Sequence, residues 1–201
     1  LFISLLIVWE GIASTMSELV LPAPTVVFST LWEGLISGYF LPHILITTSE
    51  VGLGLLVGST LGFITGILMG EVNFLRRLLL PYVIASQAVP KLALAPVFIL
   101  WFGFGMTSKV VITALICFFP LLENTITAIQ YVDPKKQELF RVLGATRLQT
   151  LTRLKLPSGL PGIMAGFRVA VVMAVVGAVV GEFIGASQGL GRSIATILAS
   201  E

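Results

Sequence analysis

The sequence predicts an all-α protein, a polytopic bundle of membrane-spanning helices, and three observations support this fold class. Of its 201 residues, 56% are hydrophobic and 11% are charged, whereas soluble domains carry about 25% charged residues. The mean hydropathy is +1.03. Residues 51–70 contain no charged side chain, and about 20 apolar residues suffice for a helix to cross a bilayer. The composition therefore excludes a soluble domain with a polar surface.

Four internal stretches are long and apolar enough to span a membrane. The predicted spans are 51–70 (beginning near Pro42), 78–102 (interrupted by Pro81, Pro90 and Pro96), 107–130 and 160–185. Residues 21–40 are rich in Pro, Ser, Thr and aromatic side chains, which favours an interfacial helix.

The two ends of the chain are also apolar. Residues 1–9 have no basic region before them, so we interpret them as the end of a transmembrane helix rather than a signal peptide. Residues 191–201 open another apolar segment. We therefore expect about six spans, with the first and last cut short.

Several site classes are excluded by composition. The single cysteine, Cys117, and the single histidine, His43, leave no disulfide framework and no Cys/His metal centre. A net charge of +2 does not predict a nucleic-acid partner.

Positive charge is concentrated on one side of the predicted bundle. Residues 134–157 hold six of the twelve basic residues, and Arg76 and Arg77 lie in a loop that alternation places on the same side. The opposite loops hold only Lys109 and Arg192. Since cytoplasmic loops are enriched in Lys and Arg, the basic side is predicted to be cytoplasmic.

The basic stretch is patterned as two short helices. Asp133 and Pro134 form an N-cap followed by Pro at the first helical position, and Gly144 is a suitable C-terminal glycine. Thr146 and Gln149 have the spacing of a capping box for a second helix, which we expect Pro157 to end. One face is apolar: its members are Leu139, Phe140 and Leu143 in the first helix and Leu148, Leu151 and Leu154 in the second.

Three interpretations of this helix pair fit the pattern. Its apolar face suits a groove on a partner protein. The pair could also lie on anionic lipid headgroups or fold back against its own bundle.

The segment resembles the "EAA" loop of ABC-importer permeases, in which Glu-Ala-Ala is followed by Gly, nine residues, then Ile-x-Leu-Pro. Glu138 and Gly144 hold the Glu and Gly positions, nine residues separate Gly144 from Leu154, and Leu156-Pro157 closes the motif. Leu139 and Phe140 replace the alanines, and Leu154 replaces Ile. "LPAPTVVFSTL", "KLALAPVFILWFGFG" and "GEFIGASQGLG" also resemble permeases of the nitrate/sulfonate/taurine type.

The resemblance implies a single permease domain over 1–201 with a coupling-helix loop at 133–158. It implies an ABC ATPase dimer, a second permease copy (identical or a paralogue), a periplasmic or lipid-anchored solute-binding protein, and a place in the bacterial inner membrane. The positions that would contact the ATPase are Glu138, Leu139, Phe140, Gly144, Ala145, Thr146, Leu154, Leu156 and Pro157.

No phosphate-binding loop of the form GxxxxGK[ST] occurs in the sequence. ATP and Mg²⁺ are therefore expected on the separate ATPase, with no cofactor and no bond chemistry in this chain.

Glycines recur at every fourth position in the first internal span, which produces a smooth stripe for close helix packing. The stripe comprises Gly54, Gly58, Gly62, Gly66 and Gly70, and Gly177, Gly181 and Gly185 repeat the pattern. Static packing is favoured over a sliding contact.

Ionisable residues at membrane depth are often functional. Lys91, between two prolines, could face an anionic solute or snorkel to the interface, and Glu182 could line the outer mouth or be an ordinary interfacial carboxylate. Met173 is a candidate for a flexible gate, against ordinary packing. These three are the candidate translocation-path residues.

Other polar residues have plainer interpretations. Arg168 is expected to snorkel, Glu50 and Glu123 to pair with hydroxyls such as Thr47 or Thr127, and His43 to be exposed at the interface.

The substrate predicted from the resemblance is a small solute of the nitrate, sulfonate, taurine or bicarbonate class, with Lys91 weakly favouring an anion. The alternative is a neutral ring compound such as a pyrimidine precursor or riboflavin. A different class, an ion-coupled secondary transporter, is disfavoured because the sequence shows no convincing internal repeat, and a membrane enzyme lacks a catalytic constellation.

Overall fold

The computed structural model describes residues 1–16, 20–185, 188–191 and 193, and the described part is helical with no strand. A 3₁₀ turn covers Lys91–Leu94 and a π-helical turn covers Leu151–Lys155. The α-helices are α1 (Phe2–Ala13), α2 (Pro24–Ile36), α3 (Phe40–Glu71), α4 (Asn73–Gln87), α5 (Ala95–Phe102), α6 (Met106–Gln130), α7 (Pro134–Val142), α8 (Arg147–Thr150) and α9 (Leu156–Gly185).

Three helices in the described residues are long and apolar enough to cross a membrane. They are α3, α6 and a continuous helix over Arg147–Ile184 that runs from α8 through the π turn into α9. The spans predicted over 51–70 and 107–130 are confirmed. At the ends of the chain, α1 is a shorter apolar helix, and residues 194–201 lie outside the described residues.

The predicted interruption of the span over 78–102 is confirmed at Pro90, where α4 and α5 are separate helices, but the break predicted at Pro81 is wrong. Proline disfavours helical backbone in the residue before it, and the chain leaves α4 just before Pro90. Pro81 lies inside α4 without ending it. Pro96 lies in the first turn of α5, where its missing N–H would have no helical partner.

The centre of the bundle is α6, which packs against both α3 and α9. Gly54 lies against Thr113 and Gly70 lies against Ile129, so α3 and α6 run in the same direction. Gly159 lies against Ala128 and Gly177 against Ile116, so α9 runs antiparallel to α6.

These directions bring the end of α3, the end of α6 and the start of α9 to one end of the bundle. Lys155 Nζ and Glu71 Oε1 lie 2.6 Å apart there. The prediction that the loop after α3 and the basic stretch share one side is therefore confirmed. We call this end the basic end.

The glycine stripe of α3 faces α6 at backbone distance. A Cβ atom added at Gly62 would lie 2.5 Å from the Phe118 carbonyl oxygen, and one at Gly66 would lie 2.6 Å from Thr125 Cβ. At Gly58 an added Cβ would collide with the Ala114 carbonyl. Because lipid supplies little hydrophobic drive for helix association, this close approach supplies the packing contacts between the two spans.

Candidate functional site

Residues 133–158, which we call the basic segment, begin with a capped helix. The Asp133 side chain accepts a hydrogen bond from the Lys135 backbone N–H at 2.9 Å, and Pro134 is the first residue of α7. The predicted N-cap is confirmed. It fixes the point at which the chain leaves α6 and turns into α7.

Gly144 closes α7 in a Schellman motif. Its φ is +72°, the left-handed region in which glycine has no steric penalty. The Gly144 N–H donates to the Arg141 carbonyl at 3.0 Å, and the Ala145 N–H donates to the Phe140 carbonyl at 3.0 Å, as the motif requires. The predicted helix end is therefore confirmed.

The capping box at the start of α8 is also present. The Gln149 N–H donates to Thr146 Oγ1 at 3.2 Å, and the Thr146 N–H donates to the Gln149 side chain at 2.8 Å. Both connections of the box are made, so the turn between α7 and α8 is fixed by local bonds alone.

The prediction that Pro157 ends the second helix is wrong. The helix continues past Pro157 into α9, and the five residues before α9 form a π turn. A proline removes one helical hydrogen bond and crowds the carbonyl four residues earlier, and a local π adjustment accommodates such a proline within a helix. The predicted start of the last span at residue 160 is therefore too late.

The apolar face of the basic segment is exposed on α7 and on the first turn of α8. Leu139, Leu143 and Leu148 are 56%, 71% and 70% exposed. Leu154, by contrast, is buried against the bundle at 7% exposure, and Phe140 is half-buried. The interpretation that this face folds back on its own bundle is therefore wrong for α7.

The remaining motif positions differ in their exposure. Glu138 and Pro157 are exposed, while Ala145 and Leu156 are half-buried. Around Gly144 itself the chain leaves open space, since a Cβ added there would meet no atom within 4 Å.

A buried polar cluster lies at the opposite end of the bundle, and its centre is an ion pair. Lys109 Nζ lies 2.6 Å from Glu50 Oε1, and both side chains are buried. Lys109 was predicted in an outer loop and Glu50 was predicted to pair with a hydroxyl, and both predictions are wrong. Lys109 lies in the first turn of α6 and faces α3. The carboxylate of Glu50 on α3 compensates the buried charge of Lys109.

Glu182 extends this cluster and is fully buried. Its Oε1 accepts a hydrogen bond from Thr47 Oγ1 at 2.6 Å, and its Oε2 accepts one from the Gly191 N–H at 2.5 Å. Thr47 Oγ1 also accepts a hydrogen bond from the Leu190 N–H at 3.1 Å. Glu182 therefore joins α9 to α3 and to the segment that follows it, rather than standing at an open surface.

His43 also contacts the segment that follows α9. Its Nδ1 accepts a hydrogen bond from the Gly189 N–H at 3.0 Å, so the prediction of a merely exposed interfacial histidine is wrong. Glu123, the other acid predicted to pair with a hydroxyl, accepts from the Gln87 side chain instead. Arg192, which was assigned to the same side as Lys109, lies outside the described residues.

The other candidate path residues lie apart from the polar cluster. Lys91 Nζ lies 4.0 Å from the centroid of the Phe119 ring, a cation–π geometry. Met173 on α9 is 39% exposed, whereas Ala170 and Ala174 in the same helix are fully buried. Arg168 is exposed. The structure does not bring Lys91, Met173 and Glu182 together in one site.

Comparison with known protein families gives a match over most of the chain. Residues 58–200 match the model of the binding-protein-dependent transport system inner membrane component. The chain belongs to this family, the ABC-transporter inner-membrane permeases. The matched range contains the whole basic segment, α6 and α9.

Individual permeases show the same relationship. The chain is 38% identical to the formylaminopyrimidine transport permease protein of Halalkalibacterium halodurans, over 94% of this chain and 76% of that protein. It is 38% identical to the putative aliphatic sulfonates transport permease protein of Bacillus subtilis, over 80% of this chain and 59% of that protein. It is also 38% identical to the riboflavin transport system permease protein of Chloroflexus aurantiacus, over 82% of this chain and 62% of that protein.

Membership of the permease family confirms the predicted all-α membrane bundle and the predicted resemblance. Family membership also excludes the alternative that the chain is an ion-coupled secondary transporter. The chain spans about three fifths of the sulfonate and riboflavin permeases.

The buried polar cluster of this permease was not predicted from the sequence. Nothing in the local pattern links Glu50 to Lys109, since 59 positions separate them. One indication was available: Thr47 and Glu50 are three positions apart in α3 and so share a helix face. In the described residues, no group of three or more His, Cys, Asp or Glu side chains could hold a metal ion.

Proposed function

We propose that this chain is the membrane-spanning subunit of an ATP-driven importer, and that its basic segment is where a separate ATPase docks. The observation that supports this most directly is the exposed apolar face formed by Leu139, Leu143 and Leu148. A Schellman motif fixes the end of α7, and a capping box fixes the start of α8. A rigid, apolar and solvent-exposed helix pair is suited to a groove on a partner.

Movement of the basic segment would be transmitted to the spans through two connections. The first is covalent: the helix over Arg147–Ile184 has 38 residues, about 57 Å of continuous helix, so movement of α8 is carried into α9. The second is the ion pair between Lys155 and Glu71, which connects the segment to the end of α3. On this proposal, closure of an ATPase dimer tilts α9 and α3 against α6.

The proposed assembly contains two copies of the permease fold, an ABC ATPase dimer that carries ATP and Mg²⁺, and a solute-binding protein at the opposite end. The basic end would be cytoplasmic, because Arg76, Arg77 and the basic segment place the excess of Lys and Arg there. The proposed location is the bacterial inner membrane. Lipid would surround the spans, and no nucleic acid is involved.

The proposed solute is a small anion of the sulfonate or nitrate class, with a neutral ring compound as the second candidate. The sulfonate permease supports the first. The formylaminopyrimidine and riboflavin permeases, at the same identity, support the second. Lys91, which was expected to favour an anion weakly, contacts the Phe119 ring instead. Binding of taurine, nitrate and a pyrimidine to the purified binding protein would separate the two classes.

The docking proposal predicts that Gly144→Asp stalls transport while the bundle stays folded. Asp is one of the few residues that tolerates the left-handed conformation, and no atom of this chain lies within 4 Å of the added Cβ. The added charged side chain would therefore meet the ATPase rather than its own chain. The measurement is ATP-driven solute uptake into vesicles.

Gly38→Asp is the matched control for this experiment. Gly38 has a φ of +73° and also has open space around its Cβ position, but it lies between α2 and α3, outside the basic segment. We expect Gly38→Asp to support uptake. Full uptake by Gly144→Asp would contradict the docking proposal.

A further inference from the structure

A polar cleft lies at the basic end, between the basic segment and the turn from α3 to α4. Its volume is about 530 Å³, within the range of roughly 300–1,000 Å³ that small-molecule sites occupy. Arg141, Arg147 and Lys155 line it from the basic segment, and Glu71 and Asn73 line it from the α3–α4 turn. We call this the basic cleft.

Two of the three cations in the basic cleft have no acidic partner among the residues that the structure covers. Lys155 is paired with Glu71 at 2.6 Å. The one other ion pair in the described ranges is Glu50–Lys109, at the opposite end of the bundle. Arg141 and Arg147 therefore face the cleft with uncompensated charge, which an anionic group would neutralise.

The position of the cleft indicates where that anion would come from. Glu71 is the last residue of α3, after an uncharged run of 20 residues, and Lys155 is the last residue before α9. The cleft therefore lies at the level where both spans leave the hydrocarbon region, beside lipid headgroups. Its lining does not include Leu139, Leu143 or Leu148, the exposed apolar face that we assign to the ATPase. Of the positions that the resemblance assigns to ATPase contact, the cleft shares the half-buried Ala145 alone.

The chemistry of the two arginines specifies the kind of anion. A guanidinium group donates hydrogen bonds in a planar fork that matches phosphate oxygens, and basic pockets on the cytoplasmic side of membrane bundles suit anionic lipid headgroups. We propose that the basic cleft binds the phosphate of an anionic phospholipid, with Arg141 and Arg147 as its ligands. The lipid would hold the basic segment at a fixed height against α3.

The experiment titrates the purified permease with phosphatidylglycerol or phosphatidylcholine and counts bound lipids by native mass spectrometry. We expect the wild-type chain to prefer phosphatidylglycerol. The Arg141→Gln/Arg147→Gln variant should bind it about thirtyfold more weakly, the loss expected for two basic groups at a lipid surface. Both arginines are exposed, so the substitutions leave the helix packing intact.

The matched control is Lys136→Gln/Arg153→Gln, which removes two charges from exposed positions of the same segment that do not line the cleft. It should keep wild-type affinity for phosphatidylglycerol. Equal losses in the two variants would show diffuse attraction and would overturn the site. Displacement of the lipid by inorganic phosphate would assign the cleft to a soluble anion and overturn the lipid assignment.

A further outcome separates this proposal from ATPase docking. If the Arg141→Gln/Arg147→Gln variant keeps its lipid but no longer copurifies with the ATPase, the arginines contact the ATPase and the lipid proposal fails. Lipid binding does not depend on the ATPase, so loss of docking in Gly144→Asp would leave it unchanged.

Discussion

At the scale of single residues, the pair formed by Glu50 and Lys109 has the largest expected effect on stability. Both side chains are buried and the charged atoms lie 2.6 Å apart. Removing one partner of a buried pair leaves an uncompensated charge and costs about 3–5 kcal/mol, whereas replacing both partners is often nearly neutral. We therefore expect Lys109→Met to lower the free energy of unfolding by about 3–5 kcal/mol.

The control for Lys109→Met is the double variant Lys109→Met/Glu50→Gln, in which both charges are gone. We expect it to unfold at nearly the wild-type temperature in detergent. If the double variant is as unstable as Lys109→Met alone, the loss comes from the packing of the lysine stem and not from the charge left on Glu50.

Thr47 has a similar role for Glu182, since its hydroxyl donates to the carboxylate at 2.6 Å and accepts from the Leu190 N–H. Thr47→Val keeps the shape of the side chain but leaves both partners without their bond. A buried polar group that loses its partner costs about 1–3 kcal/mol, and thermal unfolding should report a loss of this size. Thr47→Ser retains the hydroxyl and should stay close to wild type; a loss as large as that of Thr47→Val would contradict this account.

At the scale of helices, the contact between α3 and α6 depends on the absence of Cβ atoms along one stripe. An added Cβ at Gly58 would collide with the backbone of Ala114, and backbone cannot move aside as a flexible side chain can. Overpacking of this kind typically costs about 1–3 kcal/mol. We expect Gly58→Ala to lower the unfolding temperature of the purified permease.

Gly52 provides the comparison within the same helix, because a Cβ added there meets nothing within 4 Å. Gly52→Ala should be neutral or stabilising by about 0.5–1 kcal/mol, the usual gain from alanine in a helix. Destabilisation by Gly52→Ala equal to that of Gly58→Ala would mean that helical glycine itself, and not the contact with α6, sets the stability.

At the scale of helices, the sequence predicted the features that depend on local patterns. Caps and glycine stripes are local patterns, so the Asp133 cap, the Thr146–Gln149 box and the turn at Gly144 were predicted correctly. The π turn before Pro157 was not, because a proline normally ends a helix and only the continuing pattern on both sides could have indicated otherwise. Pairings between distant residues, such as Glu50 with Lys109 and Thr47 with Glu182, depend on how the spans meet and leave no local pattern.

At the scale of the whole molecule, the central claim is that the exposed apolar face of the basic segment docks on a separate ATPase. The chain is well suited to a site-specific test, because its single cysteine, Cys117, is buried and its thiol donates to the Ala170 carbonyl. A cysteine introduced at Leu143, which is 71% exposed, would be the accessible thiol. Phe104→Cys, at an exposed position at the opposite end, is the control.

The decisive measurement is photo-cross-linking of Leu143→Cys, labelled with a thiol-specific cross-linker, in membranes that contain the complete transporter. We predict a covalent adduct between this position and the ATPase subunit and no such adduct from Phe104→Cys. No adduct from Leu143→Cys, or equal adducts from both positions, would contradict the claim that the ATPase is seated on the basic segment.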